Sequence, residues 1–141
     1  ITSLKTRADV AYAGIFGYEL DITTMSDEEI EIAKEQIEFY KSIRTLVRTG
    51  DFYRLQSPYD SNYCSWQIVS KDKRESLLFA CRILNVANSK EENILLNGLD
   101  TNAEYIGTGE CYGGDELMFR GITPIYDNCD FATFVMVFET K

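Results

Sequence analysis

Histidine is absent from the 141 residues, and proline occurs only twice. A zinc site wants a local cluster of Cys and His ligands. The four cysteines, Cys64, Cys81, Cys111 and Cys129, contain no C-x-x-C pair, so no metal centre is expected. Basic residues are also few: 14 Lys and Arg stand against 23 Asp and Glu, a net charge of −9. That charge is spread, with six basic and nine acidic side chains in residues 1–50 and eight and fourteen in residues 51–141. No basic stripe exists to neutralise phosphates, which excludes a nucleic-acid partner. The acidity reads as solubility. No apolar run is long enough to span a bilayer, no signal peptide opens the chain and no Asn-x-Ser/Thr sequon occurs, so no membrane partner is expected either. A reducing cytoplasm fits best, although an even cysteine count leaves secretion open. Cys81 lies inside an apolar run, where a thiol behaves as a small core hydrophobe.

What is present argues for a packed interior. Nine Tyr, eight Phe and one Trp accompany a hydrophobic fraction of 45% and a charged fraction of 26%, ordinary for a globular chain and unlike a disordered one. The length allows about one domain. The chain begins at Ile1 without an initiator Met and enters at once a helix-like stretch, with Ser3 as cap and Gly14 as stop. That start reads as a fragment of something longer.

Ile15–Ile22, short and rich in β-formers, is expected to be a strand. Ser26-Asp-Glu-Glu29 is a capping box, in which Ser26 and Glu29 satisfy each other's backbone N–H groups. Its acidic side chains also suit the positive end of the helix dipole. Ile30, Ala33, Ile37, Tyr40, Ile43 and Val47 then recur at spacings of three and four. They define one apolar stripe on a helix ending near Thr49, roughly 35 Å long at 1.5 Å per residue. Gly50 is expected as its left-handed stop.

Past Gly50 the period changes from 3.6 to 2. Phe52–Leu55, Ser65–Val69, Leu77–Leu84, Ile94–Leu96, Ala103–Ile106 and Phe131–Phe138 read as strands, separated by turn chemistry. The clearest hairpin is Ser70–Ser76, a charged turn between two apolar strands. Short strands with frequent turns indicate an antiparallel β-sandwich. The fold class is therefore mainly β: a helix–strand–helix piece over residues 1–50, then a β-sandwich over residues 51–141. A lone strand between two helices leaves its backbone groups unpaired, so the first piece needs neighbours.

Ordered strings now point to a family. Thr6-Arg7, Phe16-Gly-Tyr-Glu-Leu-Asp21 and Ser26-Asp-Glu-Glu29 resemble the end of the catalytic barrel in bacterial family 36 α-galactosidases, and Gln36-Ile-Glu-Phe-Tyr-Lys41 and Gly50-Asp-Phe-Tyr-Arg-Leu-Gln-Ser-Pro58 continue the match. Gly109-Glu-Cys-Tyr-Gly-Gly-Asp-Glu-Leu-Met118, followed by Arg120-Gly121, is similar to that family's tail signature. Ile122–Asp130 matches least. The resemblance implies that residues 1–50 are the last part of a (β/α)8 barrel and residues 51–141 the C-terminal sandwich. It implies a parent enzyme hydrolysing terminal α-galactosides such as melibiose, raffinose and stachyose with retention, in a bacterial cytoplasm. It implies no metal or organic cofactor.

Retention needs two carboxyl groups about 5–5.5 Å apart. In the family these are Asp residues on earlier barrel strands, one after a Lys-Trp pair and one in a Ser-Asp segment. Trp66 is flanked by Ser65 and Gln67, and Ser26-Asp27 opens a helix, so neither motif is carried here. The catalytic, substrate-binding and metal-site sets of this chain are accordingly empty, and its expected role is to brace the barrel.

Several features invite sharper readings. Glu19 and Asp21 share a face of the expected strand and resemble a carboxylate pair; solvation and a loop hydrogen bond explain them as well. Tyr12, Tyr18, Tyr53, Tyr59 and Tyr63 suggest a sugar-stacking face, but sandwich aromatics are more often core. Trp66 is expected to be buried. Gly107, Gly109, Gly113 and Gly114 lack the Lys-Ser/Thr of a phosphate loop and read as turns. Phe79, Cys81 and Ile83, and Phe134, Met136 and Phe138, alternate on their strands, and one set from each is expected in the core. The rival functions are a carbohydrate-binding module and an assembly domain. The expected partners are α-galactoside oligosaccharides through the full-length enzyme, the rest of its own barrel, and a second copy of the chain, because the helix stripe is otherwise left in water.

Overall fold

The computed structural model describes residues 2–88 and 92–141. Helix α1 (Leu4–Ala11) starts where Ser3 Oγ accepts the Thr6 N–H at 3.0 Å. Helix α2 (Asp27–Thr49) opens on the capping box: Ser26 N–H donates to Glu29 Oε2 at 2.9 Å, and Glu29 N–H to Ser26 Oγ at 3.2 Å. The paired side chains on its wet face, Lys34–Glu31 and Lys41–Glu38, meet at 2.6 and 2.7 Å. Six strands follow: β1 (Asp51–Gln56), β2 (Tyr63–Val69), β3 (Glu75–Arg82), β4 (Glu104–Gly107), β5 (Glu110–Gly113) and β6 (Ala132–Thr140). A short helix α3 (Gly114–Phe119) precedes β6.

All pairings are antiparallel, and the strands join in the order β1-β2-β3-β6-β4-β5. The mainly β class expected from the sequence is what is found. The charged turn between β2 and β3 closes with Ser70 N–H donating to Glu75 O at 2.9 Å. Inside it, Asp72 accepts from the Ser70 hydroxyl at 2.7 Å and from Arg74 N–H at 3.2 Å. Those bonds hold its carboxyl below the usual range.

Both faces of the central strands are covered. One face carries Ile68 and Leu77 under Ala8, Tyr12, Ile43 and Leu46 of the helical segment. The other carries Val69, Leu78, Ala80, Tyr105, Met136 and Phe138 under Ile94, Leu96, Leu99 and Leu117. Hence β3 shows no alternation: every residue from Ser76 to Arg82 is buried. Two polar side chains stitch the second layer down. Gln67 donates from Nε2 to Ser76 Oγ at 2.9 Å and accepts Asn97 N–H at 2.8 Å. The Tyr105 hydroxyl donates to Lys73 O at 2.7 Å and accepts Asp100 N–H at 3.0 Å.

Four local expectations are corrected. Residues 15–21 form no strand, and the segment ends in a single 3-10 turn, Ile22–Thr24; among the described residues no strand lies alongside to pair with it. Ile94–Leu96 contributes one isolated bridge, Ile94 to Ile122, because it crosses the sheet as a cover rather than joining its ladder. Gly113 and Gly114 are not a turn. They start α3, where Gly114 is buried against the Asp100 carbonyl with no space for a Cβ. Gly50 does end α2, but its backbone is extended (φ −72°, ψ 167°) instead of left-handed. Its requirement is close approach: a Cβ there would meet Ile68 Cγ2 at 2.6 Å, Leu46 O at 2.7 Å and Val69 O at 2.8 Å.

Candidate functional site: the helix-on-sheet joint and its open face

A set of polar side chains ties α1 to β6 where the two cross. Asp9, buried, accepts from Lys5 Nζ at 2.5 Å and from the Thr133 hydroxyl at 2.6 Å. Lys5 Nζ also donates to Thr133 O at 3.2 Å, and Thr6 Oγ1 donates to Phe131 O at 2.9 Å. Residues more than 120 positions apart in sequence are thus hydrogen-bonded side by side, in a joint where these buried polar groups satisfy one another.

Beside the joint lies an aromatic cluster. Tyr12 packs on Phe39 and Phe16 with ring centroids 4.9 and 5.1 Å apart, and Phe16 packs on Tyr40 at 5.2 Å. The Tyr40 hydroxyl donates to Gly14 O at 2.7 Å, and the Tyr18 hydroxyl donates to the buried Gln36 side chain. Burial pushes the Tyr12 and Tyr18 hydroxyls above the ordinary phenol range. These contacts strap residues 12–18 across the middle of α2.

Beyond the strap the cover ends. The C-terminal half of α2 is seated through Ile43 and Leu46, whereas the N-terminal half buries only Gln36 among the described residues. Tyr18, Ile22, Met25, Ile30, Ala33 and Ile37 line an almost wholly apolar recess of about 210 Å³ there. Ile15, Leu20 and Ile32 are exposed as well. A second, larger groove of about 820 Å³ runs along β1 between Val10, Ala13, Phe52, Arg54, Tyr59 and Trp66.

The residues singled out by sequence separate. Asp21 caps the 3-10 turn, accepting from Thr23 N–H at 2.9 Å and Thr23 Oγ1 at 2.6 Å, bonds that lower its carboxyl below the usual value. Glu19 is exposed, and with no strand the two share no face. The five tyrosines do not make one platform. Tyr12 and Tyr63 are buried, Tyr53 packs on the face of the sheet opposite α1 and α2, and Tyr59 is almost fully exposed. Trp66 is half-buried and stacked on Phe79, with centroids 3.8 Å apart and planes at 17°. Among the described residues, no three His, Cys, Asp or Glu side chains converge as a metal would need, and no helix is long and apolar enough to cross a membrane. Sequence reasoning missed the Asp9–Thr133 contact, since nothing local announces a pairing over such a separation.

Comparison with known proteins places this arrangement. The description "Glycosyl hydrolase family 36 C-terminal domain" matches residues 63–138, and "Melibiase" matches residues 1–50. The chain belongs to glycosyl hydrolase family 36. It is 45% identical over 136 residues to alpha-galactosidase AgaA of Geobacillus stearothermophilus, covering 96% of this chain and 19% of AgaA. It is 38% identical over 141 residues to alpha-galactosidase Mel36A of Lactobacillus acidophilus, covering 99% and 19%. The crystal structure of an AgaA variant in complex with raffinose superimposes on all of this chain with a TM-score of 0.96 at 42% identity, over 20% of that chain. The galactosidase domain of AgaSK, an alpha-galactosidase–sucrose kinase, gives 0.95 at 33%. This family 36 chain therefore spans about a fifth of the length of the relatives it matches.

Proposed function

We propose that the chain is the C-terminal portion of an α-galactosidase, and that it braces the catalytic barrel without supplying a catalytic or substrate-binding residue. The full-length enzyme would hydrolyse terminal α-galactosides such as melibiose and raffinose with retention, and would need no metal or organic cofactor. Residues 1–50 are read as the end of the barrel and residues 51–141 as the C-terminal β-domain. The joint argues that the two work as one mechanical unit: Asp9, Lys5 and Thr6 belong to the first and Thr133 and Phe131 to the second. The observation carrying this reading is the alignment of the whole chain with one fifth of AgaA at a TM-score of 0.96. A cytoplasmic, bacterial location is part of the proposal, supported by four free thiols, two of them exposed. Self-association through the open face of α2 is part of it too.

The dispersal of the tyrosines over both faces of the sheet weighs against a carbohydrate-binding module, because stacking needs neighbouring exposed rings. The test is complementation. AgaA shortened by the segment matching this chain should be inactive on an aryl α-galactoside, and this chain alone should show no turnover above a vector-only control. Co-production of the two should restore activity. Turnover by this chain alone, abolished by a substitution within it, would refute the assignment, as would failure of the pair to co-purify.

A further inference from the structure

The β2–β3 ladder places Cys64 directly opposite Cys81. Ile83 N–H donates to Asn62 O at 2.9 Å, and Ser70 N–H donates to Glu75 O at 2.9 Å at the other end of the same register. Hydrogen-bonded pairs alternate along an antiparallel ladder, so residues 64 and 81 occupy such a pair, with Cα atoms about 5.5 Å apart. A disulfide spans Cα separations of about 4.4–6.8 Å. Opposed residues project from the same face, here the face that carries the Trp66–Phe79 stack.

The two thiols are unequal in access. Cys81 is buried, while Cys64 is half-buried and lines the groove along β1. Burial raises the Cys64 thiol above its ordinary value; burial, and then the neighbouring Cys64, pushes Cys81 up to about 11. Both are therefore thiols at neutral pH. Cys111 lies on β5 and Cys129 in the loop before β6, both outside the β2–β3 register that sets Cys64 against Cys81.

We propose that Cys64 and Cys81 form an oxidisable dithiol, closed to an intrachain disulfide by a low-molecular-weight disulfide entering from the groove. The Cys64 thiolate attacks one sulfur of the small disulfide, forming a mixed disulfide and releasing one small thiolate. The Cys81 thiolate then attacks Cys64 Sγ, forming the β2–β3 bond and expelling the second. Two electrons pass from the protein to the small disulfide, and the two thiol protons end on the released thiols. Cβ atoms at a hydrogen-bonded position stand near the upper end of about 4.5–5.5 Å, further apart than the ~3.8 Å a disulfide prefers. Closing the bond must draw the strands together, so the product is labile and reopens under mild reductant. This makes it a switchable bond and not a structural staple.

The experiment treats the purified native protein with oxidised glutathione between pH 7 and 9, quenches with acid, alkylates and maps peptides without reduction. The expected product joins the Cys64 and Cys81 peptides, is lighter by about 2 Da because two hydrogen atoms leave on closure, and returns to dithiol with millimolar reductant. Its rate should rise about tenfold per pH unit, following the thiolate fraction. The Cys81→Ser protein should stop at a glutathione adduct on Cys64. Peptide mapping of the unsubstituted protein decides the matter even where a variant folds poorly. Oxidation confined to Cys111 and Cys129, or adducts on Cys64 and Cys81 that never resolve to a cross-link, would overturn the proposal.

Discussion

The Thr133 hydroxyl donates to Asp9 and accepts from Lys5. Thr133→Val keeps the shape but leaves the Asp9 carboxylate one donor short. We expect a loss of about 1–3 kcal/mol in urea unfolding, the cost of a buried group left unsatisfied. The Lys5–Asp9 ion pair itself adds little, since Lys5 is largely exposed. Phe79 is sealed on one side by Trp66 and is only 2% exposed, so Phe79→Ala should cost about 3–5 kcal/mol. Phe134, on the opposite face and only partly buried, should cost distinctly less. An equal loss at both positions would mean that the two faces of the sheet are packed alike.

Cys81 makes a pH prediction of its own. Its folded value of about 11 lies above the ordinary thiol value of 9.0, so ionisation favours the unfolded chain. The stabilisation is complete below pH 9 and is lost as pH rises toward 11, with a slope of at most about 1.4 kcal/mol per pH unit. Under reducing conditions Cys81→Ala should flatten part of that alkaline fall. An unchanged slope between pH 9 and 11 would show that the thiol does not report on folding.

Among the elements, α2 was the most legible in the sequence, because the capping box, the apolar spacing and Gly50 all agree on it. The strands of the central hairpin were legible for a similar reason, a charged turn between two apolar runs. Residues 15–22 have strand composition and no strand, since a ladder needs a partner that composition cannot supply. Helix α3 was hidden by the two glycines that begin it. There glycine answers to crowding against Asp100, a tertiary constraint invisible locally. The cysteine pair was missed for the opposite reason: a spacing of seventeen positions looks unrelated until the hairpin register is known. Gly50 tests this distinction between crowding and backbone conformation. Its extended backbone suits any residue, so Gly50→Ala should be destabilising by about 1–3 kcal/mol through overpacking alone. Shortening Ile68 to Ala in the same protein should recover part of that loss, as coupled neighbours do. Simple additivity of the two substitutions would rule the contact out.

For the molecule as a whole, the asymmetry of α2 has the largest consequence. Its C-terminal half is fixed by Ile43 and Leu46, while around the apolar recess on its other half Ile22 and Ile37 are exposed and Ile30 is half-buried. Burying such side chains gains about 1.5–3 kcal/mol each, and contiguous exposed apolar patches of that kind are uncommon on monomers. In a longer α-galactosidase the remaining barrel is the natural cover, and the isolated chain has only another copy of itself. We therefore expect this chain alone to sediment at micromolar concentration as a reversible, concentration-dependent dimer, with the 15–37 region protected on association. Ile37→Glu should return it to monomer without lowering its unfolding midpoint, because Ile37 lies outside both buried clusters. When the chain is complemented by the shortened AgaA, the same substitution should instead weaken co-purification, since one face cannot serve both partners at once. A chain that stays monomeric throughout, with residues 15–37 exchanging amide hydrogens freely, would leave this face without a partner and would also count against the bracing role.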